Sequence, residues 1–106
     1  MFYEFRRYHA RPGRREELIK YMTEVVIPFM TLRGMDITAS FTDEQDEHSF
    51  VWMRRFEDET QRQQLYAAVY DSAEWQSVIA PPADEMMLRD LAVVTRLVPT
   101  SGSALR

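Results

Sequence analysis

The chain has no cysteine, and that absence removes disulfides, zinc ribbons and thiol chemistry together. No stretch approaches the ~20 uninterrupted apolar residues of a membrane span, so no membrane association is expected. Positive charge is in short supply: 13 Lys and Arg stand against 17 Asp and Glu, for a formal net charge of -4. Lys20 is the sole lysine, and the arginines are interleaved with acids, so no basic stripe offers a footprint for a phosphate backbone. Nucleic acid is therefore not an expected partner. Also missing are a Gly-rich phosphate loop, a Gly-x-Ser-x-Gly elbow and a His-Glu-x-x-His pair, which leaves nucleotide-binding, hydrolase and zinc-protease readings without support. In place of the apolar stretch of a secretory signal, the opening residues carry Glu4, Arg6 and Arg7. The expected setting is a reducing cytoplasm.

What remains is a composition of 45% hydrophobic and 28% charged residues over 106 positions, which fits one globular domain able to bury a core without staples. Phe2 to His9 is aromatic-rich and ends at Ala10-Arg11-Pro12-Gly13, which reads as a strand and a turn. From Arg14 to Leu32, Leu18, Met22, Val25, Val26, Phe29 and Leu32 recur at helical spacing, with Pro28 expected to kink the helix and Gly34 to end it. Asp36 to Thr42 alternates as a second strand, and the acidic loop Asp43 to Glu47 makes a hairpin with a third, His48 to Phe56. Asp58 and Gln61 form a capping box for a helix running to about Tyr70. Asp71 and Glu74 repeat that pattern for a shorter helix bearing Trp75, Val78 and Ile79, which Pro81 and Pro82 are expected to break. Met87 to Val98 reads as a closing strand, with residues 1–99 as the domain and 100–106 as a flexible tail.

Strand, helix, strand, strand, helix, strand is the split βαβ order, and right-handed crossovers turn it into an α+β, ferredoxin-like antiparallel sheet with both helices on one face. The other face then has no cover within the chain. A large apolar face left in water is unfavourable, and the outer strands have open edges, so a second copy is the expected partner, closing a dimeric α+β barrel.

Side chains alternate along strands. Glu4, Arg6 and Tyr8 therefore share one face of the first strand, and Tyr3, Phe5 and Arg7 the other. If Tyr3 and Phe5 meet the helices, then Glu4, Arg6, Tyr8, Phe50, Trp52 and Arg54 face the barrel interior, with Glu4 near Arg54 and Arg6 near Trp52 or Phe50. Such a pocket has an aromatic floor of Phe50 and Trp52. Arg6 and Arg54 would hold a carboxylate or enolate oxygen, and Tyr8 would donate a hydrogen bond. Glu4 and its arginines also satisfy a purely structural reading, because buried charges must be compensated. His9 and His48 fall at one end of the sheet, where either, His9 first, could serve as a general base. No set of metal ligands is apparent, and no metal or cofactor is expected.

Tyr3-Glu4-Phe5-Arg6-Arg7-Tyr8 with Arg11-Pro12-Gly13 resembles the start of the NIPSNAP family. Pro28, Gly34, Phe50-Val51-Trp52-Met53-Arg54-Arg55-Phe56, Arg62, Ser72-Ala73-Glu74-Trp75 and Arg96-Leu97-Val98-Pro99-Thr100 continue the resemblance in order. It implies a dimeric α+β barrel, and it leads one to expect a tryptophan where Arg54 stands. No helix has a histidine like the iron ligand of haem-handling barrels of this type. The functional expectation is a cofactor-independent oxygenase or isomerase acting on a small aromatic or acidic metabolite. The alternative is a non-catalytic small-molecule binding or structural dimeric module.

Overall fold

The computed structural model describes residues 1–106. Strands β1 (Phe2–His9), β2 (Asp36–Asp43), β3 (Asp46–Phe56) and β4 (Val93–Leu97) form one antiparallel sheet in the order β2-β3-β1-β4. This is the ferredoxin-like order expected from the chain of elements. Both helical arms pack on one face of it, and the main core lies between, with Phe50 and Trp52 from β3 set against Leu18, Met22, Val26, Val69 and Ile79.

The first arm is α1 (Arg15–Tyr21), a π turn (Met22–Val26) and α2 (Ile27–Leu32). Pro28 has no N–H to offer the carbonyl four residues back. The chain absorbs the defect one turn earlier, where the Ile27 N–H bonds the Met22 carbonyl, five residues back. The extra residue rotates the helix beyond it. Met30 consequently enters the core beside Phe29, whereas Leu32, assigned to the apolar stripe on uniform helical spacing, is 87% exposed. Gly34 ends the arm at φ +98. There the Met35 N–H reaches the Met30 carbonyl and the Gly34 N–H the Thr31 carbonyl, a Schellman pattern.

The second arm begins at α3 (Glu59–Tyr70), where Asp58 caps by accepting from the Gln61 N–H and Gln61 reaches back to the Glu57 N–H. After a turn, the Ser72 hydroxyl accepts from the Trp75 N–H, so the second cap is Ser72 and not Asp71. A second π turn (Trp75–Ile79) leads into α4 (Ala80–Met86). Pro81 and Pro82, expected to break the chain, sit in the first turn of α4 instead. The wide turn ahead of them ends in a bond from the Ala80 N–H to the Trp75 carbonyl, so their missing donors cost little. The last strand is shorter than alternation implied. Met87 makes an isolated bridge to Ala10, Arg89–Leu91 form a 3-10 turn, and pairing with β1 starts at Val93. Beyond it the tail folds on itself, with the Arg106 guanidinium donating to the Thr100 and Ser101 carbonyls. No helix is long and apolar enough to cross a membrane.

Candidate functional site

The register sets Glu4 opposite Arg54, as expected, and Arg6 opposite Trp52, one of the two neighbours expected for it, while Phe50 stands opposite Tyr8. The side of the sheet is the reverse of the expected one. Glu4, Arg6, Tyr8, Trp52 and Arg54 face the helices, and Tyr3, Phe5, Arg7, Val51 and Met53 form the uncovered face. The expectation rested on giving the helices an apolar partner. What α3 presents is instead a polar stripe, Arg62, Tyr66 and Tyr70, spaced four residues apart on one helical face. The charged row of β1 meets that stripe.

Glu4 is the hub. Its carboxylate is 2% exposed and accepts from Arg6 Nη1 at 2.9 Å, Arg62 Nε at 2.8 Å and the Tyr66 hydroxyl at 2.7 Å. Arg54 Nη1 lies 3.9 Å away. Burial by itself pushes the Glu4 pKa up. The hydrogen bonds from Arg62 and Tyr66 and the charges of Arg6 and Arg54 outweigh it, so the group ends below its ordinary value. The phenols respond in the opposite direction. Tyr66 is raised by burial and by donating to Glu4, and Tyr70 is raised by burial against the pull of Arg54.

Arg54 is fully buried. Its Nη2 donates to the Tyr70 hydroxyl, while Nε and Nη1 find no hydrogen-bond acceptor. The aromatic faces compensate in part, for its Cζ lies 4.6 Å from the centre of Trp52 and 5.5 Å from that of Tyr70. Arg62 and Arg96 both reach Glu59. Across the connected network Arg6, Arg54, Arg62 and Arg96 face only Glu4 and Glu59, which leaves two positive charges in excess.

Beside this network, between sheet and helices, is a cavity of about 180 Å³. Tyr8, Trp52, Tyr66, Tyr70 and Trp75 give it aromatic walls, Met22 and Val26 of the first π turn close one side, and Arg6 and Arg89 are its charged lining groups. Trp75 packs on Tyr70 at 5.1 Å and lines the cavity. Arg6 donates through Nε to Tyr8 at 3.1 Å and through Nη1 to Glu4 and Tyr66. Its Nη2 makes no hydrogen bond within the chain. The Tyr8 and Tyr70 hydroxyls each accept from a guanidinium, which leaves each proton free to be donated. Three residues with donor groups thus line one largely apolar space, a lining suited to an oxyanion.

The site residues expected from the sequence separate into groups. Arg6, Tyr8 and Trp52 line the cavity. Glu4 and Arg54 lie behind them, as electrostatic support, and Phe50 packs in the core 6.3 Å from Trp52. His9 is elsewhere: it pairs with Ser49 at the end of β1 and its ring lies 5.0 Å from that of His48, away from the cavity lining. Sequence reasoning missed Arg62, Tyr66, Tyr70 and Arg89. The four-residue spacing of the first three was the available signal, on a helix that also carries the apolar Leu65, Ala68 and Val69.

The family model for NIPSNAP matches residues 3–103. The chain belongs to the NIPSNAP family. A NIPSNAP family protein of unknown function from Agrobacterium tumefaciens is 20% identical and superposes with a TM-score of 0.89, over 100% of this chain and 94% of that one. An uncharacterized NIPSNAP domain protein from Burkholderia xenovorans is 18% identical, with a TM-score of 0.85 over 97% and 98% of the two chains. More distantly, the fold is shared with an antibiotic biosynthesis monooxygenase, at 15% identity and a TM-score of 0.66 over 94% and 99%. No curated protein matches the chain.

Proposed function

We propose that this NIPSNAP protein binds a small aromatic or acidic metabolite in the sheet–helix cavity and acts on it without a cofactor, as an oxygenase or isomerase. The observation that carries the reading is the unsatisfied Arg6 Nη2 beside the free protons of Tyr8 and Tyr70. An enolate, phenolate or carboxylate oxygen placed there gains charge-assisted hydrogen bonds inside a space walled by aromatic rings. The excess positive charge behind the donors favours the ionised form of an acidic ligand. Of these three anions, an enolate or phenolate places negative charge on carbon, and that is the species that reacts directly with oxygen or is reprotonated at another carbon, whereas a carboxylate is only anchored. The shared fold of an antibiotic biosynthesis monooxygenase is consistent with this chemistry, as analogy from fold.

A second reading has an observation of its own. No carboxylate or imidazole lines the cavity, and both Glu4 oxygens are already occupied. A ligand that arrives ionised would be bound and held without a proton being removed by the protein. Screening aromatic acids and phenols by thermal shift tests both readings at once, and product analysis in air separates them. At least one such compound should raise the melting temperature of the wild type, and Tyr8→Phe and Arg6→Met should each reduce that shift. If no aromatic acid or phenol stabilises the protein, both readings fall.

Pairing of two copies belongs to the same proposal. The uncovered face presents the half-buried Phe5 and Met53, with Phe41 of β2 53% exposed and Val93 and Leu97 of β4 55% and 41% exposed. Apolar surface of this kind supports a partner at about 25 cal/mol per Å² removed from water. The residues that argue for a partner are thus on the opposite face from the one first expected. Association there leaves the cavity within each chain. The cytoplasm is the compartment we propose, on the absence of cysteine.

A further inference from the structure

Charge is distributed unevenly around the cavity. Its charged lining groups are Arg6, on the central strand, and Arg89, in the 3-10 turn that leads into β4. Arg6 is nearly buried, with 13% of its side chain exposed, whereas the Arg89 side chain is 64% exposed. Arg89 also borders a broad open depression formed with Arg11, Asp84 and Asp90, so it stands where the cavity meets solvent. The lining between the two arginines is apolar or aromatic. Arg89 donates to Asp84 Oδ1 through both Nε and Nη2. Both groups of that pair are exposed, so the bond is weak and exchangeable for another carboxylate.

We infer that the cavity selects a ligand with an acidic group at each end of a flat apolar body, the inner oxygen on Arg6 and the outer carboxylate on Arg89 at the mouth. This rests on the proposed binding of an acidic metabolite beside Arg6 and adds the outer group. Asp84 holds Arg89 in place when the outer group is absent and yields it when that group arrives. Arg89 is thus the residue that sets specificity between singly and doubly acidic ligands. Arg89 is fixed in the planar, always charged form suited to carboxylate recognition.

The test uses benzoate and 2-naphthoate against terephthalate and naphthalene-2,6-dicarboxylate, with calorimetric affinities for the wild type, Arg89→Gln and Asp84→Asn. For the wild type, the better-fitting diacid should bind about five-fold more tightly than its monoacid, the scale of a solvent-exposed ion pair. Arg89→Gln should bring the diacid-to-monoacid ratio near unity. Asp84→Asn, which frees Arg89, should widen it. Raising the salt concentration should shrink the wild-type ratio, because the outer contact is exposed. Monoacid binding with no diacid preference, or a preference that survives Arg89→Gln, overturns the inference and leaves the binding at Arg6 standing. Failure of every acid to bind overturns both.

Discussion

Glu4, itself buried, joins one carboxylate to the buried Arg54 and to the partly exposed Arg6 and Arg62. Removing its charge while keeping its shape should be severe. Glu4→Gln leaves three guanidinium groups without their shared anion and is expected to lower the unfolding free energy by about 3–5 kcal/mol, measured by urea denaturation at neutral pH. The sign of the pH dependence follows from the lowered pKa of the carboxyl. The unfolded chain takes up this proton more readily than the fold, so the stabilisation is full above the ordinary value of 4.5 and is lost as pH falls through the lower folded value. The difference between wild type and Glu4→Gln should therefore narrow in acid below pH 4.5. Tyr70→Phe should cost about 1–3 kcal/mol, because it strips the buried Arg54 of its hydrogen-bond acceptor. Arg54→Met, which removes the buried charge and keeps an apolar chain, should cost less in the same denaturation assay. At this scale alternation along β1 and β3 revealed which residues share a face, with Glu4 near Arg54 and Arg6 near Trp52 or Phe50, and the register of the two strands selects Trp52 for Arg6. It did not reveal which side of the sheet they take. That depends on the stripe α3 presents, and two stripes of this helix, one apolar and one polar, compete for the sheet.

Both helical arms contain a π turn ending shortly before a proline, and the first places Met22 and Val26 at the cavity wall. Each proline was legible in the sequence, but its effect was not. The defect can be met by a break, a kink or a widened turn, and the choice depends on what the arm packs against. The length of β4 was misjudged because no Gly or Pro separates Met87 from Val93, yet Met87 to Ala92 lacks β-branched and aromatic residues and crosses from α4 to the sheet as a bridge and a 3-10 turn. Gly34, by contrast, was plain from its position after the apolar stripe. Its backbone is left-handed, and a Cβ placed on it would stand 3.3 Å from Leu65 Cδ2, so Gly34→Ala carries two penalties. A loss of about 1–2 kcal/mol is expected in thermal or urea unfolding, with the cavity and its ligand affinity little changed.

At the level of the whole molecule the order of elements was sufficient to give the sheet, because few topologies satisfy short, right-handed connections. The same order leaves one sheet face open, and that face is where association is proposed. Phe41 sits on it in register with Val51, toward the β2 edge. Phe41→Glu should convert a species of twice the chain mass into a single chain, read by light scattering coupled to size exclusion, while the fold by circular dichroism persists. A wild type that runs as a single chain at micromolar concentration would remove the pairing proposal.

The cavity, with Arg6 and its tyrosine hydroxyls, is walled by side chains of one chain and lies on the opposite side of the sheet from the proposed contact. Two such chains would carry two separate binding sites back to back. Occupancy should then rise along a simple hyperbola with a Hill coefficient of about 1, and a mixed pair made from one intact and one Tyr8→Phe subunit should show two independent sites, one at wild-type affinity and one weakened to that of the variant.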